Sequence, residues 1–300
     1  MIEHSFGRDA WTERKLEALR QYLLQWRLIF DKNLGARYYK TLYIDAFAGT
    51  GSRREPAKTV NADQFNLFEP EPNQGQENFR RGSARIALEL ESKFDEYVFV
   101  DKNPDHATEL RKMIERDFSD LVPRCHVWED DGCDVMRQLC HHLKDWSKWR
   151  AVAFLDPYGM NVEWNVLEWI AKTKGIDLWL LWPLGMGANR LLTRDKKPHK
   201  VFADKLTRVF GSVDWERFYI HPPTLDLFED APASEIKVAD FEAIGNFYLR
   251  RLETIFAGVA PRTKVLTNSR GNPMYLLFFA AGNPKGAPTA IRIADYLMAE

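Results

Sequence analysis

Apolar residues along the chain follow two alternating patterns, short continuous runs and longer amphipathic stretches. The runs have the length of buried strands, and the stretches have the 3.6-residue periodicity of helices. Strands are predicted at 41–48, 97–101, 124–128, 151–155, 177–182, 263–268 and 274–281. Helices are predicted at 10–30, 83–93, 105–118, 133–145, 163–173 and 238–256. Strands that alternate with helices of this length indicate an α/β protein with right-handed crossovers and a parallel sheet.

The last two strands differ from the others in their connection. Only the link Ser269-Arg270-Gly271-Asn272-Pro273 separates them, whereas a parallel crossover needs about a dozen residues or more. They are therefore predicted to be antiparallel, so a C-terminal hairpin closes a mostly parallel sheet. Plain dehydrogenase folds do not require this hairpin.

Two segments lack the alternating pattern. Residues 52–82 are polar and irregular, and residues 187–237 are rich in charge and proline. Long segments of this kind inside a compact domain are often functional. Since 300 residues suit one large α/β domain, we predict a single domain over 1–300 with insertions at about 52–82 and 187–237.

Composition narrows the class of protein. A chain with 45% apolar and 13% aromatic residues can form a sizeable core, and a net charge of −1 gives no overall basic field for nucleic acid. The three cysteines form no C-x-x-C pair, which favours a reducing compartment. No apolar run reaches membrane-spanning length and no signal-peptide core is apparent, so the expected location is the cytoplasm, with no membrane partner.

Four predicted strands end in carboxylates. The motifs are Tyr43-Ile44-Asp45, Phe99-Val100-Asp101, Val127-Trp128-Glu129-Asp130-Asp131 and Phe154-Leu155-Asp156. Because the carboxyl ends of parallel strands meet at one edge of a sheet, these acids describe a nucleoside-binding crevice. The first strand also opens into Gly49 and Gly51, where a backbone without Cβ atoms can approach a ligand. A plain strand-to-helix turn is the alternative.

At this point the chain resembles the class I S-adenosylmethionine-dependent methyltransferases, whose Rossmann-like, seven-stranded sheet has a reversed last strand. The segment Asp45-x-Phe47-x-Gly49-x-Gly51 resembles their first motif, in a variant common among nucleic-acid amino-methyltransferases. The resemblance implies S-adenosylmethionine as cofactor, with Asp45 facing its ammonium group and the Phe47–Gly51 turn packed against its methionine part.

The same resemblance assigns roles to the next two acidic motifs. Asp101 would accept hydrogen bonds from both ribose hydroxyls, although it lies 50 residues after Gly51 instead of about 20; the 52–82 insertion accounts for the difference. Asp131 or, less favoured, Asp130 would accept the exocyclic amine of adenine. Alternatively, Asp131 only caps the following helix.

The segment Asp156-Pro157-Tyr158-Gly159 is the candidate catalytic motif. Amino-methyltransferases of DNA and RNA carry a D/N-P-P-Y/F loop here, and a guanine-N2 tRNA dimethyltransferase family carries D-P-F-G. The Asp156 carboxylate and the Pro157 carbonyl would hold an exocyclic amine while Tyr158 stacks on the base. An ordinary strand-end turn is the alternative.

Several stretches are also similar to the three-Cys-motif partner (TcmP) proteins, over about residues 12–281. They are Lys15-Leu16-x-x-Leu19-x-x-Tyr22-Leu23, Tyr43 to Gly51, Gly82-Ser83-Ala84-x-x-Ala87-Leu88, Leu155 to Met160 and Trp182-Pro183-Leu184-Gly185-Met186. This resemblance implies a methyltransferase-like fold, a bacterial or phage setting, and a neighbouring cysteine-motif protein of the radical-SAM-like, iron–sulfur type as partner.

Three functions remain open from the sequence. The leading hypothesis is an S-adenosylmethionine-dependent methyltransferase that acts on an amino group, on a nucleobase of DNA or RNA. The first rival is a methyltransferase-fold binding partner of the cysteine-motif protein, without methylation activity of its own; the second is a nucleotide-sugar or NAD(P) enzyme. The basic run from Arg190 to Lys200 is either a solvated face or a phosphate-binding segment, and no metal site is predicted.

Overall fold

The computed structural model describes residues 6–50, 52–53, 80–194, 197–220, 236–268 and 270–299. The central sheet contains β1 (Lys40–Asp45), β2 (Glu96–Val100), β3 (Cys125–Trp128), β4 (Trp149–Leu155), β5 (Ile176–Pro183), β6 (Gly258–Val259), β7 (Lys264–Thr267) and β8 (Pro273–Ala281). The main helices are α1 (Phe6–Lys32), α2 (Ser83–Glu89), α3 (Pro104–Asp117), α4 (Gly132–Gln138), α5 (Trp164–Thr173), α6 (Lys200–Phe210), α7 (Phe241–Glu253) and α8 (Ala287–Ala299).

The strands lie in the order β3-β2-β1-β4-β5-β8-β6, and β7 also pairs with β8. The five strands from β1 to β5 are mutually parallel, whereas β8 is antiparallel to β5 and to both β6 and β7. This order, with one reversed strand, is that of the Rossmann-like class I methyltransferase fold. The predicted fold class is therefore confirmed.

The sheet has eight strands, whereas seven were predicted, because two short strands, β6 and β7, stand where one strand was expected. Both β6 and β7 pair with the edge of β8 that faces away from β5. Val259 pairs with Ala280, and Lys264 pairs with Leu277. Five positions thus separate the two residues on this edge, whereas only three separate their partners on β8. Pro261 lies in this interval and has no N–H to donate to the ladder, so the strand is interrupted there.

Helices cover both faces of the sheet. Leu42 and Ile44 of β1 belong to a core with residues of α4, α5, α6 and α7, and Tyr43 belongs to a core with residues of α1, α2, α3 and α8. The helix α8 was not among the predicted elements. Among the described residues, no helix is both long and apolar enough to cross a membrane.

Shorter elements complete the description. They are the 3-10 helices Ser119–Arg124 and Asp214–Phe218, the π-helical turns Leu139–Leu143 and Leu184–Ala188, the α-helical turn Asn189–Leu191, and the short strands Ser52–Arg53, Arg80–Arg81, Tyr219–Ile220 and Ile236–Lys237. These short strands form two antiparallel pairs, one in each predicted insertion. The single domain over 1–300 stays a prediction.

Contacts at both ends of the sheet fix the position of α1. At the amino end, Tyr22 Oη and Trp26 Nε1 donate to Asp177 Oδ2 over 2.9 and 3.0 Å. About two helical turns earlier, Lys15 reaches the carboxyl end, where its Nζ contacts Asp156 Oδ2. The helix thus spans the sheet and brings a cation to the edge where the predicted site lies.

Candidate active site

Strand register brings three of the predicted acids to one edge of the sheet. Asp45 at the end of β1 pairs with Phe99 on one side and Phe154 on the other. Asp101 and Asp156 follow those partners by two residues. After β1 the chain passes over this edge, with Ala46 N donating to Phe154 O at 3.2 Å and Ala48 N to Val100 O at 2.8 Å.

Asp45 is fully buried and has fewer donors than its oxygens can accept. Its Oδ1 accepts a long hydrogen bond of 3.4 Å from Phe47 N, whereas Oδ2 is buried without a hydrogen-bond partner among the described residues. Burial raises the pKa of Asp45 to about 7, and the negative charge of Asp156 adds to the rise. The nearby Ser83 hydroxyl, the Phe47 N–H and the charge of Lys15 oppose this rise in pKa. Asp45 is thus a carboxylate suited to a cation or a hydrogen-bond donor.

The glycine turn after β1 has room beside it. Gly49 has a φ of +60°, and a Cβ at this position would meet no atom of the described residues within 4 Å. A residue with a side chain is strained at such a φ, so the turn requires glycine for its backbone, and the space next to it is open. Gly51 lies outside the described residues.

A second glycine brings another motif against this turn. A Cβ on Gly132 would lie 2.1 Å from Ala46 O and 3.2 Å from Cε1 of Phe47. Only glycine permits this approach, by which the start of α4 packs on the chain after β1. Phe47 is partly buried against the core. The turn after β1, predicted to bind the methionine part of the cofactor, therefore lies next to the start of α4, where adenine is predicted to bind.

Asp101 is buried, and its carboxylate already has two partners. Its Oδ1 accepts from Asn103 N at 2.8 Å, and His106 Nδ1 lies 3.3 Å from Oδ2. Asn103 in turn caps α3 by accepting from Asp105 N. His106 is partly exposed, so a hydroxyl ligand of Asp101 could share or replace the histidine contact.

The two candidate adenine residues differ in exposure and in bonding. Asp131 caps α4, with Oδ1 accepting from Cys133 N at 2.9 Å, and its Oδ2 lies 4.0 Å from Lys102 Nζ. Asp130 is exposed, and its Oδ1 accepts from Asp131 N at 2.7 Å. The capping alternative for Asp131 thus describes a contact that is present, and the adenine role stays a prediction for either residue.

The candidate catalytic motif lies directly after β4. The Asp156 side chain is 26% exposed, Pro157 is buried, and Tyr158 is 63% exposed. Gly159 has a φ of +66°, and no atom of a described residue lies within 4 Å of an added Cβ. The motif therefore presents a carboxylate and an aromatic ring to solvent, as acceptor binding would require.

Lys15 is the residue of this site that the sequence analysis missed. It is only 2% exposed, and it pairs with Asp156. Its spacing gave a signal, because Lys15 lies four residues before Leu19 and seven before Tyr22, on the buried side of α1. A lysine at a core position of an amphipathic helix indicates a buried partner.

Part of the segment 187–237 approaches the candidate catalytic motif. A Cβ on Gly187 would lie 2.6 Å from Met160 Sδ, and the run that begins at Arg190 follows directly. Among the described residues, no carboxylate lies within ion-pair distance of Arg190, Arg194 or Lys200.

Solved structures with some similarity to this chain were compared with it. Protein LPL1258 from Legionella pneumophila has 12% identity and a TM-score of 0.45, with 95% of this chain and 91% of that chain covered. Trm1 from Pyrococcus horikoshii, in complex with S-adenosyl-L-methionine, has 11% identity and a TM-score of 0.44, with 93% and 57% covered. Spermidine synthase from Thermotoga maritima has 9% identity and a TM-score of 0.40, with 92% and 61% covered.

No protein-family model and no curated protein matches this sequence. At identities and TM-scores this low, the fold is assigned from the strand order and the reversed strand. On that basis the chain has the fold of class I methyltransferase-like proteins, with buried and exposed carboxylates at the edge of the sheet where that fold binds its ligands.

Proposed function

We propose that this protein is an S-adenosylmethionine-dependent methyltransferase that acts on an amino group of a nucleobase in DNA or RNA. The observation that carries the proposal is the buried Asp45 carboxylate, whose Oδ2 has no donor among the described residues. A buried carboxylate oxygen without a donor is costly. An ammonium group from a ligand would supply both the missing hydrogen bond and a compensating charge.

The residues around Asp45 fit the remainder of the cofactor. Gly49 leaves open space at the turn, Asp101 offers oxygens to a ribose, and Asp130 or Asp131 stands at the start of α4 for an adenine amine. When bound, S-adenosylmethionine would supply an electrophilic methyl group, which leaves as its sulfonium becomes a neutral thioether. A site rich in carboxylates stabilises the cationic groups of such a ligand.

The residues after β4 would hold the acceptor. Asp156 can accept a hydrogen bond from an exocyclic amine and so orient the nitrogen lone pair, and it can take up the proton that the nitrogen loses after transfer. The exposed ring of Tyr158 offers a face on which a base can stack, an interaction worth about 1–3 kcal/mol. Both contributions come from positioning and electrostatics.

The run of cationic residues that begins three residues after Gly187 supports a nucleic acid as acceptor. Arg190, Arg194 and Lys200 have no carboxylate partner among the described residues, and Gly187 links their segment to Met160. Cationic side chains at such positions can bind backbone phosphates, which orient a nucleic acid without reading its sequence.

Calorimetric titration with S-adenosylmethionine and S-adenosylhomocysteine tests the cofactor. We expect binding of both by the wild-type protein. Its absence at millimolar ligand would refute the enzyme proposal and favour the rival, in which the fold serves as a binding partner of a cysteine-motif, radical-SAM-like protein.

Nucleoside mass spectrometry of nucleic acid from cells with and without the protein tests the acceptor. A methylated nucleobase should appear only with the wild-type protein. The Asp156→Asn variant should keep cofactor affinity within a few-fold and lose about a hundredfold or more in rate. The Tyr158→Phe variant keeps the stacking face and serves as the matched control for Tyr158→Ala.

A further inference from the structure

Lys15 is a buried cation at a position where an apolar residue would be expected. It is 2% exposed, and its Nζ contacts Asp156 Oδ2. Burial of an ammonium group costs free energy that ion pairing often does not recover. The stability of α1 therefore does not explain the lysine, because an apolar side chain would pack there at lower cost.

Asp45 is the second carboxylate on which Lys15 acts. Three side chains from different parts of the fold influence the pKa of Asp45: Lys15 from α1, Ser83 from α2, and Asp156 after β4. Tyr43 from β1 is the other titratable neighbour, and burial and the charge of Asp45 raise its own pKa. The negative charge of Asp156 raises the pKa of Asp45, and the positive charge of Lys15 lowers it. Lys15 thus connects the predicted cofactor and acceptor residues.

We propose that Lys15 is a positioning residue that holds the Asp156 carboxylate in place and keeps Asp45 ionised for a cationic group of the ligand. The identity of that group, the cofactor ammonium, rests on the proposed function. The charge balance itself belongs to the ligand-free protein and can be measured there.

The physical reason is the repulsion between two neighbouring carboxylates. Without a cation, two such groups in a buried site cannot both ionise easily, and one of them takes up a proton. With Lys15 present, Asp45 and Asp156 can both be charged, which leaves one net negative charge. A ligand group with one positive charge then neutralises the site.

The direct test is a titration of the Asp45 carboxyl carbon by NMR in the ligand-free, full-length protein labelled with ¹³C-aspartate. The Asp45→Asn variant identifies the resonance by its loss. Lys15→Met should raise the midpoint of the titration and Asp156→Asn should lower it, each by on the order of one pH unit. Loosening of the fold would not shift the midpoint in opposite directions.

Further variants distinguish a change in charge from misfolding of the Lys15→Met variant. Lys15→Met leaves Asp156 without its partner, which can be strongly destabilising. The double variant Lys15→Met/Asp156→Asn removes both charges and should return the midpoint to near the wild-type value. Lys15→Arg keeps the charge, and Arg14→Met removes an exposed cation one residue away; both should leave the midpoint unchanged.

Equal midpoints in all variants, or shifts of Lys15→Met and Asp156→Asn in the same direction, would overturn the role of Lys15. Titration with S-adenosylhomocysteine over the same pH range separates this outcome from failure of the proposed function. If the midpoints shift in opposite directions but the wild-type protein binds no S-adenosylhomocysteine, the charge balance holds and the cofactor proposal fails.

Discussion

One carboxylate lies at each end of the sheet, the half-buried Asp177 and the fully buried Asp45, and the two differ in their hydrogen-bond donors. Asp177, at the amino end, accepts from Tyr22, Trp26 and Gly282 N over 2.9, 3.0 and 3.3 Å. Asp45, at the carboxyl end, has a buried oxygen without a donor among the described residues. The three neutral donors of Asp177 indicate a structural role, whereas Oδ2 of Asp45 can still accept a hydrogen bond from a ligand.

The pKa values of the two carboxylates reflect this difference. Burial raises the pKa of Asp177 to about 6, and its three hydrogen bonds limit the rise. Burial raises the pKa of Asp45 to about 7, with a further contribution from Asp156. The pKa values of the two carboxylates are thus similar, and the number of hydrogen-bond donors distinguishes them more clearly.

The largest effect is expected when the structural carboxylate is removed. Asp177→Ala leaves three donors without an acceptor, at about 1–3 kcal/mol for each group that stays buried. The free energy of unfolding should fall by roughly 3–6 kcal/mol, measured by urea denaturation. Any folded protein should bind S-adenosylhomocysteine as the wild type does, since the site lies at the other end of the sheet.

Asp177→Asn is the matched control, because it keeps an oxygen that can accept from Tyr22 and Trp26. It should lose less stability than Asp177→Ala. A small loss for the alanine variant, below about 1 kcal/mol and so within the range of ordinary surface substitutions, would contradict the structural role.

The reciprocal change at the carboxyl end should affect binding instead of stability. Asp45→Asn removes the charge that would meet the cofactor ammonium, and a hydrogen bond to a charged group is worth about 1.5–3 kcal/mol. Affinity for S-adenosylhomocysteine should therefore fall roughly ten- to a hundredfold, measured by calorimetry. Unfolding at pH 7.5 should be unchanged or shifted to higher urea. Unchanged affinity together with lost stability would reverse the assignment of the two carboxylates.

The fold was predictable from the sequence because its signals are local. Strand length, helix periodicity and the five-residue link Ser269-Arg270-Gly271-Asn272-Pro273 determine the parallel sheet and its reversed strand. The split of the sixth strand into β6 and β7 at Pro261 was not predicted, because it depends on the register against β8. The residues after the last strand form α8, which was not among the predicted helices.

The placement of the candidate site residues was predictable only in part. Strand-end acids identified Asp45, Asp101 and Asp156, since parallel strands bring their carboxyl ends together. Lys15 was missed because its contact with Asp156 joins residues 141 positions apart, and helix periodicity does not identify such a partner. Whether Asp45 lacked donors could not be read from the sequence, since it depends on the packing of α1 and α2.

A third prediction compares two glycines at the carboxyl end of the sheet. Gly49 and Gly271 have φ values of +60° and +76°, and in the described part of the chain a Cβ on either would meet no atom within 4 Å. Valine at either position is strained by roughly 1–2 kcal/mol, with little steric cost. Thermal denaturation should show similar losses for Gly49→Val and Gly271→Val, whereas only Gly49→Val should abolish S-adenosylhomocysteine binding. Equal binding by the two variants would make Gly49 a turn residue without a ligand role.

The last comparison is the pH dependence of stability that each carboxylate contributes. Unfolded aspartate titrates near pH 3.9, and folded Asp45 titrates at about 7, so between these values the folded state binds more protons. The free energy of unfolding therefore falls as pH rises through this window, by at most about 1.4 kcal/mol per pH unit. Asp45→Asn removes this contribution, so its stability relative to the wild type should rise from pH 4 and level off near pH 7. For Asp177→Asn the pH-dependent part should level off about one unit earlier, since Asp177 titrates at about 6. Urea denaturation at half-unit pH steps would measure both curves, and parallel curves for wild type and Asp45→Asn would show that Asp45 bears no cost of burial.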